Sequence, residues 1–149
     1  MRKTIVLVLF LIVLTCGLVA ADIPLSERAA IDLVVFTWID ALKSEDIDRF
    51  GRTYWPDVVH TSLLPNGEVN EVYRGRESLL RAQREAFRQS DGFADIVYSD
   101  PDRDFASHPE KPVYTIVGRA GGVMWEDTFQ LEKRGGEWRI AEHVFVLLP

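Results

Sequence analysis

The sequence predicts an α+β domain in which N-terminal helices pack against one face of a curved, mainly antiparallel sheet. Two observations lead to this fold class. Apolar residues recur at helical spacing over residues 31–42, and apolar and polar residues alternate on both sides of the turn glycines Gly135 and Gly136. The chain has no internal repeat, no low-complexity segment and no linker that would divide it. We therefore expect a single domain.

Residues 1–21 have the composition of a secretory signal peptide. Arg2 and Lys3 form a positive start, an apolar run covers residues 5–14, and small residues precede a cleavage site after Ala21. A membrane-spanning helix needs roughly 20 apolar residues, and this stretch is shorter. We expect cleavage there and a secreted or periplasmic domain over residues 22–149, with an uncleaved membrane anchor as the alternative.

Cys16 is the only cysteine, and it lies in this leader. Lipid modification of Cys16 is a poor match, because Thr15 stands where a lipidation motif has a small residue such as Gly, Ala or Ser. Loss of the leader removes two cations and no acids, so the formal charge changes from −6 to −8. We expect no thiol chemistry, no binding to nucleic acid and no contact with anionic membranes after cleavage.

Three helices precede most of the strands. The first carries the apolar stripe and has Ser26 as its expected N-cap. A short second helix starts at Ser44 and ends near Gly51. The third is predicted over residues 75–89, and Gly92 breaks it.

The remaining segments favour strands. The expected strands cover residues 58–64, 69–73, 93–99, 113–119, 123–133 and 138–148. The stretch from Asp100 to Pro112 is rich in turn residues and predicts a loop. The last two strands form a long hairpin whose register pairs Glu132 with Arg139.

Regular alternation sorts this hairpin into two faces. The apolar face, expected to cover the helices, carries Val123, Trp125, Asp127, Phe129, Leu131, Trp138, Ile140, Glu142, Val144 and Val146. The opposite face carries Glu126, Thr128, Gln130, Glu132, Arg139, Ala141, His143, Phe145 and Leu147. Acids on an apolar face are costly without partners, so Asp127 and Glu142 either have structural hydrogen bonds or point at a ligand in a pocket. Both explanations stay open for Asp127, and the structural one is favoured for Glu142.

Four short segments, in this order and spacing, resemble the nuclear transport factor 2-like superfamily, especially its SnoaL-like and ketosteroid-isomerase-like branches. They are ALKSEDID at residues 41–48, YWPDVV at 54–59, YRGRESL at 73–79, and the stretch 132–140 with Trp138. The resemblance covers essentially all of residues 22–149. It implies a cone in which the sheet wraps the first helix and leaves a cavity at the wide end. It specifies no activity, because this superfamily contains enzymes, binding proteins and assembly modules.

The resemblance also suggests which residues line the cavity. The general base of ketosteroid isomerases aligns with Ser62, their oxyanion-stabilising tyrosine with Trp38, and their protonated aspartate with Asp127. Only Asp127 keeps the family's residue type, and a serine cannot shuttle a proton as a carboxylate does, so we exclude ketosteroid isomerisation. The expected pocket residues are Trp38, Tyr54, His60, Ser62, Trp125, Asp127, Phe129 and Glu142.

Three functions remain in competition. The first is an exported domain that binds a small, largely apolar ligand, as a homodimer. The second is a small cofactor-independent lyase, isomerase or hydrolase that uses His60 and Asp127; a core histidine bonded only to Asp127 is the structural alternative. The third is an interaction module that uses the outer sheet face, where Ala141, Phe145 and Leu147 are expected. Because the three histidines lack metal-motif spacing and no cofactor motif is present, we expect no metal and no cofactor.

Overall fold

The computed structural model describes residues 23–90 and 92–149. The predicted signal peptide, its cleavage site and Cys16 lie outside the described residues. Within the described part of the chain, no helix is long and apolar enough to cross a membrane.

Three helices and seven strands make up the described chain. The helices are α1 (Leu25–Lys43), α2 (Ile47–Arg52) and α3 (Arg76–Gln89). The strands are β1 (Tyr54–Leu63), β2 (Val69–Arg74), β3 (Val97–Tyr98), β4 (Asp102–Asp104), β5 (Val113–Ala120), β6 (Val123–Arg134) and β7 (Glu137–Leu147). The predicted helix–strand order is confirmed.

Helix α1 forms the centre of the core. Its residues Ile31, Val35, Trp38 and Leu42 follow helical spacing, and all four are buried against the sheet. Burial of each such side chain contributes about 1.5–3 kcal/mol. The start of the helix is fixed to the sheet as well, because Lys133 Nζ lies 2.7 Å from the Glu27 carboxylate.

The helix ends differ from the predictions in two details. Helix α1 begins after Pro24 without a side-chain cap, so the prediction of Ser26 as N-cap is wrong. Pro24 occupies the N-cap position itself: its carbonyl accepts from the amides of Glu27 and Arg28, and its ring offers no side-chain acceptor. Asp46 caps α2 by accepting from the Arg49 amide, and α2 continues one residue past Gly51 to Arg52.

All seven strands belong to one curved, unclosed sheet, with the strand order β2-β1-β7-β6-β5-β3. Strand β1 runs parallel to β7, whereas the other pairings are antiparallel, so the sheet is mixed. Strand β4 pairs with β5 beside β3. This arrangement confirms the predicted α+β cone with its helices in the concavity of the sheet.

The region before β5 was less regular in sequence, and the predictions there were partly wrong. Only Val97–Tyr98 of the predicted strand 93–99 is extended, because a turn in which Ile96 N bonds Phe93 O interrupts it. Asp102–Asp104 was expected in a loop but pairs with β5. Its residue types disfavour strands, so this pairing depends on the neighbouring strand rather than on local propensity.

A β-bulge at Ala141 changes the register of the long hairpin. Gln130 pairs with Glu142 and Leu131 pairs with Ile140, so Ala141 has no partner on β6. Side chains alternate along a strand, and one extra residue therefore turns every later side chain of β7 to the opposite face. Up to the bulge the predicted register is correct, including the pairing of Glu132 with Arg139.

The predicted faces of β7 after the bulge are therefore wrong. Glu142 was expected on the apolar face and is exposed, whereas His143 was expected on the other face and is only 3% exposed. Phe145 likewise turns toward the helices. Val144 and Val146 move in the opposite direction, to the outer face.

Candidate functional site

A cavity of about 390 Å³ lies between the concave face of the sheet and the helices. Its apolar and aromatic lining residues are Trp38, Leu42, Phe50, Tyr54, Tyr73, Leu79, Ala82, Ala86, Phe93, Ile96, Tyr98, Trp125 and Phe145. The other lining residues are His60, Ser62, Glu71, Gln83, Asp127 and His143. The cavity therefore has an apolar wall and a small set of polar groups.

Most of the predicted pocket residues line this cavity. They are Trp38, Tyr54, His60, Ser62, Trp125 and Asp127. Phe129 is fully buried and does not line the cavity; it packs against the lining residue His143, with a ring centroid distance of 4.6 Å. Glu142 is exposed opposite Gln130 on the outer face, so its predicted position toward the pocket is corrected by the bulge.

His143 is the centre of a buried hydrogen-bond network. Its Nε2 lies 2.9 Å from Asp127 Oδ1, and its Nδ1 lies 2.9 Å from the hydroxyl of Tyr54. The Tyr54 hydroxyl accepts a hydrogen bond of 2.6 Å from Trp38 Nε1. Because Tyr54, His143 and Asp127 come from β1, β7 and β6, three strands of the sheet assemble the network.

Asp127 is held on both carboxylate oxygens. Trp125 Nε1 donates to Oδ2 at 2.9 Å, while Oδ1 faces His143. The side chain is almost completely buried. Each oxygen of the buried carboxylate therefore has a partner, which explains how an acid is accommodated on the apolar face.

His60 connects the network to the cavity. Its Nδ1 lies 3.1 Å from Nδ1 of His143, and its ring packs against Tyr73 with a centroid distance of 5.8 Å. It makes no direct hydrogen bond to Asp127 within the described residues, so the expected His60–Asp127 pair is bridged by His143. The second nitrogen of His60, Nε2, has no hydrogen-bond partner among residues 23–90 and 92–149, which leaves it for a bound molecule.

Burial disfavours charge on all four titratable groups of the network. Burial raises the pKa of Asp127 to about 7, an effect that the hydrogen bond from Trp125 opposes. Burial lowers the pKa of His143 to about 3. It also lowers the pKa of His60 to about 3, with a smaller contribution from His143. The pKa of Tyr54 is raised well above its ordinary value for the same reason.

These hydrogen bonds can run in either of two directions. When Asp127 is ionised, Nε2–H of His143 donates to it, and Nδ1 accepts from the Tyr54 hydroxyl. When Asp127 carries the proton, it donates to Nε2, and Nδ1–H of His143 points at Tyr54 and His60. The second arrangement holds one proton more than the first. Uptake of a proton at Asp127 therefore moves the N–H of His143 from Nε2 to Nδ1, the nitrogen that faces Tyr54 and His60.

His143 was not predicted as a site residue, because regular alternation placed it on the outer face. One signal was present in the sequence: a shift of parity after Ile140 would have removed Glu142 from the apolar face. The same shift would have exposed Val144 and Val146, so the pattern alone favoured neither register.

Tyr98 is a further cavity residue that the sequence did not indicate. Its hydroxyl is buried and makes no hydrogen bond to the described residues. Burial raises the pKa of this hydroxyl, and the nearby charge of Asp127 raises it further. The hydroxyl is therefore a neutral donor close to the polar part of the cavity.

Metal coordination finds no support in the described residues. Among residues 23–90 and 92–149, no group of three His, Cys, Asp or Glu side chains is placed to hold a metal ion. His108 lies exposed in the loop before β5, away from the other two histidines.

Solved structures share this architecture at low sequence identity. One is an NTF2-like protein of unknown function from Pseudomonas putida KT2440, with a TM-score of 0.69 and 14% identity over 83% of this chain and 88% of that one. The chain has the NTF2-like fold. A ketosteroid isomerase-like protein from Erwinia carotovora atroseptica superposes with a TM-score of 0.68 and 18% identity, over 85% of this chain and 99% of the other. No family model and no curated protein matches the sequence.

This similarity shows the NTF2-like fold and no activity. A protein with a cystatin-like fold from Caulobacter vibrioides is also similar, with a TM-score of 0.65 and 17% identity over 82% of this chain and 89% of that chain. It is described as uncharacterized. The function must therefore be inferred from the cavity itself.

Proposed function

We propose that this domain binds a small, largely apolar molecule in the cavity of its NTF2-like fold. The observation that carries the proposal is the distribution of polarity in the cavity. Its wall is formed mostly by apolar and aromatic side chains, whereas His60, Asp127 and His143 meet at one place. Binding sites for small molecules commonly combine an apolar wall with a few fixed polar groups.

The size of the cavity supports the same function. Ligand sites commonly measure roughly 300–1,000 Å³, and 390 Å³ lies at the lower end of that range. The polar groups are also fixed before any ligand arrives, because Tyr54 and Asp127 are fully or nearly fully buried and hydrogen-bonded. A preformed site loses less entropy on binding than a flexible one.

A blocked-cavity variant tests binding directly. Ala86 lies on α3 and lines the cavity, so Ala86→Trp fills it, whereas Ala29→Trp places the same side chain at an exposed position on α1. We expect neutral arylalkanols such as phenylpropanol to bind the wild-type protein and Ala29→Trp in calorimetry and ligand-observed NMR. Ala86→Trp should lose this binding. Equal binding to all three proteins, or none to the wild type, would contradict the proposal.

Acid–base catalysis is the second candidate, and one observation favours it. His143 joins His60 to Tyr54 and Asp127, so the imidazole that faces the cavity belongs to a hydrogen-bonded chain of titratable groups. In a cofactor-independent lyase, isomerase or hydrolase, His60 would touch the substrate as base or acid. Tyr54, His143 and Asp127 would position His60 and accept or supply the proton.

NMR and turnover assays test this second candidate. We expect the ring resonances of His60 to shift in Asp127→Asn. The protonation of Asp127 determines whether Nδ1 of His143, which lies against His60, carries a hydrogen. Any compound that binds would then be assayed for conversion by the wild-type protein and by His60→Ala. Turnover lost in His60→Ala, with binding retained, would establish catalysis. Binding without turnover would contradict catalysis and support only the ligand-binding function.

Export through the leader is a further part of the proposal. Its support is the sequence of residues 1–21, with its positive start, apolar run and small residues before Asp22. Expression of the full chain in a bacterial host should place the protein outside the cytoplasm with Asp22 as its first residue. N-terminal sequencing of that fraction would test both points, and an intact leader on a membrane-bound protein would contradict them.

We also propose a homodimer through the outer sheet face. Phe145, one of the side chains expected there, lines the cavity instead. The support therefore comes from Val144 and Val146 of β7 and Thr61 of β1. These three lie half-buried on a face that no helix of the described chain covers. Sedimentation over a concentration series should detect a dimer that Val144→Glu disrupts and Val123→Glu, on an exposed valine elsewhere, does not.

A further inference from the structure

Within the part of the chain that the structure describes, no positive side chain lines the cavity. Among the described residues that line it, none is arginine or lysine, although the full chain has 17 such residues. Both histidines are kept neutral by burial, which lowers the pKa of each to about 3. The charged or chargeable acids of the lining are Glu71 and Asp127. An anionic ligand would therefore lose its hydration without finding a counter-charge.

Glu71 is the charged group at the opening of the cavity. It lies on the edge strand β2 opposite Ser62 of β1, and its side chain is exposed. The hydroxyl of Tyr73 donates to Glu71 Oε2 at 2.5 Å, which fixes the carboxylate beside the ring of Tyr73. This contact leaves Oε1 without a partner among the described residues, on an exposed side chain at the edge of the cavity.

Aromatic rings continue from the opening into the cavity. Tyr98 meets Trp125 edge-to-face at a centroid distance of 6.2 Å, and Trp125 stacks on Phe145 at 6.3 Å. On the opposite side, the ring of Tyr73 lies beside His60. The faces of aromatic rings are electron-rich and attract cations. These rings therefore add to the preference for a cationic ligand that Glu71 and Asp127 create.

We propose that the cavity takes an amphiphile whose polar end is an ammonium group, held at the opening by Glu71 and the ring of Tyr73, with its apolar body inside. The apolar body would contact Leu79, Phe93 and Ile96. Carboxylates and phosphates of the same size are excluded. This inference rests on the proposed binding function and names the chemical class of its ligand.

Three probes with one apolar body separate the charge preference from binding itself. Phenylpropylamine, phenylpropanol and phenylpropanoate carry a cation, a neutral hydroxyl and an anion on the same phenyl chain. Their affinities for the purified protein are measured by calorimetry at low and high salt. We expect the amine to bind about threefold more tightly than the alcohol, the magnitude of one exposed ion pair, and the acid to bind at least tenfold more weakly. High salt should reduce the preference for the amine.

The variant Glu71→Gln tests whether Glu71 causes the preference for the amine over the alcohol. Because Glu71 is exposed on an edge strand, Glu71→Gln should fold normally. It should reduce the affinity for phenylpropylamine to that for phenylpropanol while leaving the alcohol unchanged. Glu68→Gln removes the same charge from the nearby exposed turn, outside the cavity, and should change neither affinity.

The outcomes separate this inference from the proposed function. If the alcohol binds the wild type and fails to bind Ala86→Trp, the binding function stands. Equal affinities for amine and alcohol, tight binding of the acid, or an amine preference that survives Glu71→Gln would then overturn the ammonium inference alone. If none of the three probes binds, the cavity fails as a small-molecule site and both proposals fall.

Discussion

The dependence of stability on pH provides a direct measure of the buried network. Unfolding exposes His60, His143 and Asp127 to water, where their pKa values return to the ordinary 6.5 for histidine and 3.8 for aspartate. In the folded protein, burial lowers the pKa of each histidine to about 3 and raises that of Asp127 to about 7. The two states therefore bind different numbers of protons at mildly acidic pH.

The sign and size of the effect follow from counting protons between about pH 5 and pH 6. There the unfolded chain holds a proton on each of the two histidines, which the folded protein does not bind. The folded protein holds one proton on Asp127 or, through their shared hydrogen bond, on His143; the count is the same in either position. The unfolded state binds about one proton more, so the free energy of unfolding should rise by about 1.4 kcal/mol per pH unit.

Two substitutions change this slope in opposite directions. In Asp127→Asn the folded network binds no proton, so the difference becomes about two protons and the slope about 2.8 kcal/mol per pH unit. In His60→Gln the unfolded chain loses one titrating group, so the difference cancels and the slope should fall near zero. His108→Gln removes an exposed histidine outside the network and should keep the wild-type slope.

Urea unfolding followed by tryptophan fluorescence at several pH values measures these slopes. The window above about pH 5 avoids exposed carboxylates, which are ionised in both states there. The slope is compared within each variant, so a general loss of stability in one of them does not affect the result. A flat wild-type profile that His60→Gln leaves unchanged would refute the neutral, buried state of the histidines.

Three further predictions concern the packing of the core and the pKa of the buried carboxyl group. Leu131→Ala should lower the free energy of unfolding by about 2–5 kcal/mol, because Leu131 is fully buried, whereas Leu33→Ala, on a side chain 66% exposed, should change it by less than about 0.5 kcal/mol; urea unfolding measures both. Gly118→Ala should cost about 1–3 kcal/mol and alter the near-ultraviolet circular dichroism, because a Cβ at Gly118 would overlap the indole of Trp125. Trp125→Phe should raise the pKa of Asp127 above about 7, since it removes the hydrogen bond that lowers it, and carbon-detected NMR titration of the carboxyl group would report the change.

Periodic patterns explain why most of the fold was predictable. The stripe of α1 and the alternation of β6 are repeated over several turns or residue pairs, so each element is indicated many times. Asp127 was found on the apolar face for this reason, since β6 is regular from Val123 onward. His60 was indicated by the resemblance to the NTF2-like superfamily, and the structure places it on the cavity wall.

The parts that failed depend on pairing between distant residues. A bulge is one extra residue, and the pattern of polar and apolar residues after Ile140 favours neither register before the two strands are paired. The strand at Asp102–Asp104 exists for a similar reason, because β5 provides its partner. The single-residue shift was sufficient to exchange Glu142 for His143 inside the protein, and so to change the predicted chemistry of the site.

The bulge also explains why a polar network can exist in this core. Without it, His143 would face outward, and Asp127 would keep Trp125 as its hydrogen-bond partner but lose the one on its other oxygen. A buried carboxylate with an unmet hydrogen bond costs about 1–3 kcal/mol or more, whereas apolar residues of similar volume at both positions would be at least as stable as the polar pair. Stability alone therefore does not require a carboxylate and an imidazole here. The carboxylate and the imidazole lie beside His60 on the wall of an apolar cavity. This position favours a role for them in binding a ligand or in acting on it.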